Sequence, residues 1–160
     1  MRKIQAISGL VIWIVATNLQ GATPDPKVAL VAGLYREFAW EVVITEPQGT
    51  TFLLQSEAVL SRYLTPTLLQ LLMKERACAT ERKEICSLGF TPIWDGNDPA
   101  AVGLRVLPGA RPNEVSVRFT AHSKRAVEIY YDLVQVNGSW RIDNIRTKDW
   151  SLVSILQDPL

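Results

Sequence analysis

The dipeptide Asn137-Gly138, set between two stretches of alternating apolar residues, restricts the fold of this chain more than any other feature. Asparagine and glycine tolerate the positive φ that a two-residue hairpin turn demands. Upstream, Val127, Ile129, Tyr131 and Leu133 line one face of a strand and Glu128, Tyr130 and Asp132 the other. Downstream, Trp140 and Ile142 continue the alternation, which puts both on the core face against a helix bearing Leu34 and Phe38. The same period of two begins at Ala101, with one strand over residues 102–107 and a turn over 108–113. Val115, Val117 and Phe119 mark a second strand, closed by a turn at residues 122–124. Successive strands joined by short turns predict a four-stranded antiparallel meander.

The first half of the chain has a helical period instead. Asp25-Pro26 and Thr65-Pro66 each place a capping side chain before a proline, which marks a helix start. The first helix is predicted over residues 26–43, with Val28, Val31, Leu34, Tyr35, Phe38 and residues 40–42 at helical spacing, and is broken by residues 46–49. A short segment over 56–63 turns Leu60 and Tyr63 inward. The helix from Pro66 carries a leucine stripe at 64, 68, 71 and 72 and is predicted to run to about Ala79. Residues 87–100 read as a loop, and residues 150–157 as a terminal helical turn or two. Helices followed by a meander predict an α+β fold: N-terminal helices packed against a curved four-stranded antiparallel sheet.

Residues 1–22 read as a secretory signal and residues 23–160 as a single domain. Arg2 and Lys3 precede an uncharged stretch from residue 4 to residue 24, whose apolar centre is residues 10–16. That centre is too short to span a bilayer, which takes about 20 apolar residues. Gln20 occupies the minus-three position for cleavage after Ala22, where a small residue is favoured, so an uncleaved anchor over residues 4–22 stands as the alternative. The expected location is therefore periplasmic or secreted, or the inner membrane by that anchor. The cysteines agree with an oxidising compartment. Cys78 and Cys86 are the only two and are expected to form a disulfide. On one straight helix their spacing would separate them by about 12 Å, too far for a bridge, so the helix must end between them.

The formal charge of +1 falls to −1 if the first 22 residues are removed, because Arg2 and Lys3 are the only charges there. This balance does not predict a nucleic-acid partner. One histidine and two cysteines match no zinc pattern, and Asp95, Asn97 and Asp98 around Gly96 lack calcium-loop spacing. No cofactor is expected.

The hairpin segment 136–145 resembles the last hairpin of nuclear-transport-factor-2-like folds, α+β cones in which a curved sheet wraps a long N-terminal helix. More narrowly, the chain resembles the YbjP/YqhG-type domain of bacterial envelope proteins. The resemblance rests on four segments in order: Leu34 to Phe38, residues 60–69, the acidic-aromatic loop 90–99, and residues 140–145 followed by 151–156. It implies the cone fold and an envelope location. It carries over no chemistry and no catalytic residue.

The chain contains no nucleophile elbow, phosphate loop or His-Glu helix motif. The reading is accordingly a non-catalytic domain that contacts an envelope protein, as a structural accessory or as an inhibitor or immunity-type module. Its candidate interface is Trp94, Asp95, Asn97 and Asp98, in a long loop with an aromatic beside acidic turn residues. The alternative is a small-molecule binder or lyase- or isomerase-type enzyme using the mouth of the cone. Its candidate pocket is Tyr35, Trp40, Arg118, His122, Tyr130 and Asp132, with an Arg118–Asp132 ion pair across neighbouring strands.

Overall fold

The computed structural model describes residues 24–42, 50–97, 100–121 and 124–158. The expected signal at 1–22, the breaker at 46–49, Asp98 and His122 lie outside the described residues.

The first helix, α1, spans Pro26–Phe38. The Asp25 carboxylate caps it by accepting the Lys27 N–H at 2.9 Å. A tighter 3-10 turn over Ala39–Val42 follows, so the α-helix ends before the expected residue 43. The β-branched residues starting at Val42 disfavour a further α turn. A second 3-10 turn, Phe52–Leu54, buries Phe52 against Phe38 with ring centroids 5.5 Å apart. The sequence pattern did not reveal this core residue, because an apolar triplet has no period. Two helices come next: α2, Glu57–Leu60, capped by Ser56, and α3, Pro66–Arg82, capped by Thr65.

Helix α3 runs about a turn beyond the expected end near Ala79. It stops at Lys83, whose φ of 57° reverses the chain. The Glu75 carboxylate then accepts the N–H groups of Ser87 and Leu88, both at 2.8 Å. The reversal brings Cys86 back to Cys78, and the two are disulfide-bonded across a Cα separation of 6.2 Å. The geometric condition set by the spacing is met by the turn at Lys83.

Four strands form one antiparallel sheet in chain order: β1, Val102–Pro108; β2, Glu114–Thr120; β3, Ala126–Val136; and β4, Ser139–Arg146. Asn137 and Gly138 both take positive φ, as the hairpin requires. The inner face carries Val115, Val117 and Phe119 from β2 and Val127, Ile129, Tyr131 and Leu133 from β3, all buried. Against it pack Val31, Leu34, Tyr35 and Phe38 of α1 and Leu68, Leu69 and Leu72 of α3. A final helix, α4, Leu152–Gln157, packs against α3 and β4.

The β3–β4 register shifts after Asp132, so that Asp132 lies opposite Asn144 and Leu133 opposite Ile142. Asp143 is the extra residue of a bulge, and Ile142 and Ile145 both reach the core despite their odd spacing. Trp140 was expected to be fully in the core against Leu34 and Phe38. It is half-buried beside the hairpin turn, with the Lys27 ammonium 5.2 Å from its ring centroid.

The two sheet edges differ. Along β4, Ile142 donates its N–H to Tyr63 at 2.7 Å and accepts the Thr65 N–H at 2.9 Å, so the segment before α3 covers that edge. Along β1, the outer edge has no strand partner among the described residues, and most of its side chains are exposed.

Candidate functional site

The interior between α1 and the sheet is filled. Trp94 is only 3% exposed. Its ring meets Tyr35 edge-on at 5.0 Å and Phe119 at 5.9 Å, and its Nε1–H donates to Glu41 Oε2 at 2.7 Å. Glu41 Oε1 accepts the Phe52 N–H at 2.6 Å. Burial raises the Glu41 pKa above the ordinary carboxylate value, and these two donors oppose the rise. Beside it, Tyr131 donates to the Tyr35 hydroxyl at 2.8 Å, and Tyr35 donates to the Ile93 carbonyl at 2.6 Å. Both phenols are pushed well above their ordinary pKa, first of all by burial. This chain of hydrogen bonds satisfies the polar ends of two tyrosines in an apolar setting.

The expected interface loop is therefore corrected at its centre: Trp94 is a core side chain, not an exposed anchor. Thr91 and Gly96 pair as an isolated bridge, and the Trp94 N–H returns to the Thr91 carbonyl at 3.1 Å, which folds the loop inward. Asp95 is tied as well. Its φ is 53°, its Oδ1 accepts the Trp150 Nε1–H at 2.7 Å, and its Oδ2 accepts from Arg125 at 2.7 Å. Asn97 is exposed.

The alternative pocket is not one constellation. Tyr35 is buried on the inner side of the sheet, and Trp40 is half-buried in the 3-10 turn after α1. Arg118, Tyr130 and Asp132 project from the outer face, on the far side of the sheet. The Arg118–Asp132 pair does not form either. The register sets Arg118 opposite Glu128, and its Nε donates to Glu128 Oε1 at 2.7 Å. Asp132 stands opposite Glu114 and binds Arg111 at 2.5 Å and Arg146 at 3.1 Å.

The outer face holds what the sequence reading missed. Glu114 is buried there, and it is held by Arg111 Nε at 2.8 Å, by Arg146 and by the Ala110 N–H at 3.0 Å. A Cβ on Gly109 would collide with this carboxylate's side chain, which explains glycine in the β1–β2 turn. Arg146 also lies over the Tyr130 ring, 4.8 Å from its centroid. No local motif could announce this cluster, since Arg146 lies 32 residues from Glu114. Beyond it, the outer face opens into a groove of about 660 Å³ lined by Val102, Arg105, Arg118, Arg125, Glu128 and Tyr130, among others. Arg105 did carry a signal, as a lone charge in an apolar strand.

No protein-family model matches the chain, and no curated protein matches it. Its fold is similar to that of a solved protein of unknown function from Bacteroides thetaiotaomicron. The two share 21% identity with a TM-score of 0.50, over 76% of this chain and 88% of that one. The likeness concerns the fold alone. Among the described residues, no group of three His, Cys, Asp or Glu side chains is arranged to hold a metal ion. No helix among them is long and apolar enough to cross a membrane.

Proposed function

We propose that the chain is an exported, non-catalytic binding module of the bacterial envelope that engages a protein partner through the outer face of its sheet. The observation that carries this reading is the filled interior: Trp94, Tyr35, Tyr131 and Phe119 occupy the space that a cone-mouth ligand would need. The outer face, by contrast, presents Arg118, Thr120, Ala126 and Val134 to solvent. The Cys78–Cys86 disulfide supports an oxidising compartment, periplasmic or extracellular. Membership of the YbjP/YqhG-type family and the cone arrangement of nuclear-transport-factor-2-like folds belong to the same proposal, as does an inhibitor or immunity-type role.

The test uses the gene with its native N-terminus and a photo-crosslinking residue at Thr120, at Val134 or, as a control, at Gln70 on the exposed side of α3. A discrete protein adduct from the two sheet positions and none from Gln70 is expected. Intact mass of the recovered protein should show loss of residues 1–22. The variant His122→Ala should keep biological activity. Loss of activity in that variant at unchanged stability, with no adduct from the sheet face, would overturn the reading.

A further inference from the structure

Around the groove the arginines of the outer face are paired with carboxylates among the described residues, with one exception; Arg141, at the far edge on β4, binds the Ser61 carbonyl. Arg111 and Arg146 share Glu114 and Asp132, Arg118 holds Glu128, and Arg125 holds Asp95. Arg105 makes no ion pair and no side-chain hydrogen bond among the described residues. The β1–β2 register nevertheless sets Arg105 directly opposite Arg118, and the β2–β3 register sets Arg118 opposite Glu128. Two guanidinium groups therefore share one carboxylate in a single row across three strands. Like charges directly opposite each other destabilise a sheet. This row borders the groove of about 660 Å³, a size in the range of small-molecule sites.

The remaining charges of the groove cancel. Asp95 is occupied by Arg125 and Trp150, and Asp149 by Lys148 at 3.1 Å. Among the described residues of the groove one uncompensated positive charge is left, a guanidinium. Arg118 uses its Nε on Glu128, and its terminal nitrogens make no hydrogen bond among the described residues. Two planar forks thus face one space with donors unspent, a geometry suited to a planar carboxylate. On one side of the row Val102 is 73% exposed in the groove, in register with Thr120 and Ala126; on the other side lies Tyr130, whose ring is stacked by Arg146. The Gly103 kink, with φ of 69°, places Val102 on the same face as Arg105 by adding a residue to β1.

We infer that the Arg105–Arg118 row is a recognition site for a small carboxylate ligand with an apolar tail, the carboxylate bridging the two guanidinium groups and the tail lying on Val102. This inference stands on the arginine row and the groove, independently of any protein partner.

The experiment titrates the exported, disulfide-bonded protein with acetate, hexanoate and inorganic phosphate at matched ionic strength, and follows the arginine Nε–H resonances by NMR. Saturable shifts at Arg105 and Arg118 are expected, with hexanoate at least about tenfold tighter than acetate because its tail leaves water. Arg105→Gln and Arg118→Gln should each weaken hexanoate binding by about tenfold or more, the scale of one lost charge-assisted pair. Arg141→Gln, on β4 and bonded to the Ser61 carbonyl, should change nothing. Arg105→Gln removes no internal partner and should fold as the wild type does. Shifts that do not saturate, equal affinity for acetate and hexanoate, tighter binding of phosphate, or an unaffected Arg105→Gln variant would each overturn the assignment.

Discussion

Trp94→Ala separates a structural loop from a docking loop more directly than any other change. The side chain is 3% exposed and packs on Tyr35 and Phe119. Truncating a buried tryptophan to alanine costs about 3–5 kcal/mol in transfer and cavity terms. The change also strips Glu41 Oε2 of its Nε1–H donor at 2.7 Å, and an orphaned buried acceptor adds about 1–3 kcal/mol. The cavity is wide enough to admit water to Glu41, so the two terms overlap and a total of about 4–5 kcal/mol is expected. For a domain of ordinary stability, about 5–15 kcal/mol, that leaves the protein marginal. Trp94→Phe keeps an aromatic ring against Tyr35 and loses the hydrogen bond, so about 1–3 kcal/mol is expected. The assay is urea unfolding of the oxidised protein followed by far-ultraviolet circular dichroism, which does not depend on the fluorescence of the mutated tryptophan. A loss below about 1 kcal/mol for Trp94→Ala would refute the reasoning, because a surface side chain behaves that way.

The double change Cys78→Ser, Cys86→Ser should lower stability by about 2.5 kcal/mol, the loop-entropy value for so short a ring, and the urea midpoint checks it. Glu114→Gln should cost about 2 kcal/mol, less than a fully buried pair, because water reaches Arg111 and Arg146 around the buried carboxylate; thermal unfolding at two salt concentrations measures it. Burial raises the Tyr35 and Tyr131 pKa values in the folded state, while the unfolded chain ionises near pH 10. Their contribution to stability is therefore complete below about pH 10 and falls as pH rises through the folded values. Tyrosinate absorbance at pH 11 should show Tyr63, pushed up to about 12, still protonated together with Tyr35 and Tyr131, of which the last two ionise only with unfolding. Trp140→Ala should cost only about 1–2 kcal/mol, since the side chain is half-buried, and urea unfolding decides it.

The local part of this fold was legible because its determinants lie within a few residues of one another. Asp25 and Thr65 announce helix starts by side chains that cap the next turn, and Asn137-Gly138 announces a hairpin by its permitted backbone angles. The alternation from Val115 to Leu133 marks the inner face, and those residues are buried there. The spacing of Cys78 and Cys86 dictated that a bridge requires a chain reversal between them. Its location at Lys83, past the expected helix end, depends on Glu75 reaching the N–H groups of Ser87 and Leu88.

Tertiary structure decided whatever depended on which distant residues meet. Strand neighbours were evident, but a register is set by turns and bulges, and a slip of a few residues changes every pair. That is why Arg118 meets Glu128 and not Asp132, and why the bulge at Asp143 lets Ile142 and Ile145 share the core. Trp94 reads as an exposed loop aromatic in the sequence because its burial depends on Tyr35, Glu41 and Phe119, up to 59 residues away along the chain. That Arg105 has no ion pair among the described residues is likewise invisible in one dimension. Its significance comes from carboxylates that fold onto other arginines, since electrostatic pairing follows distance through space rather than distance along the chain.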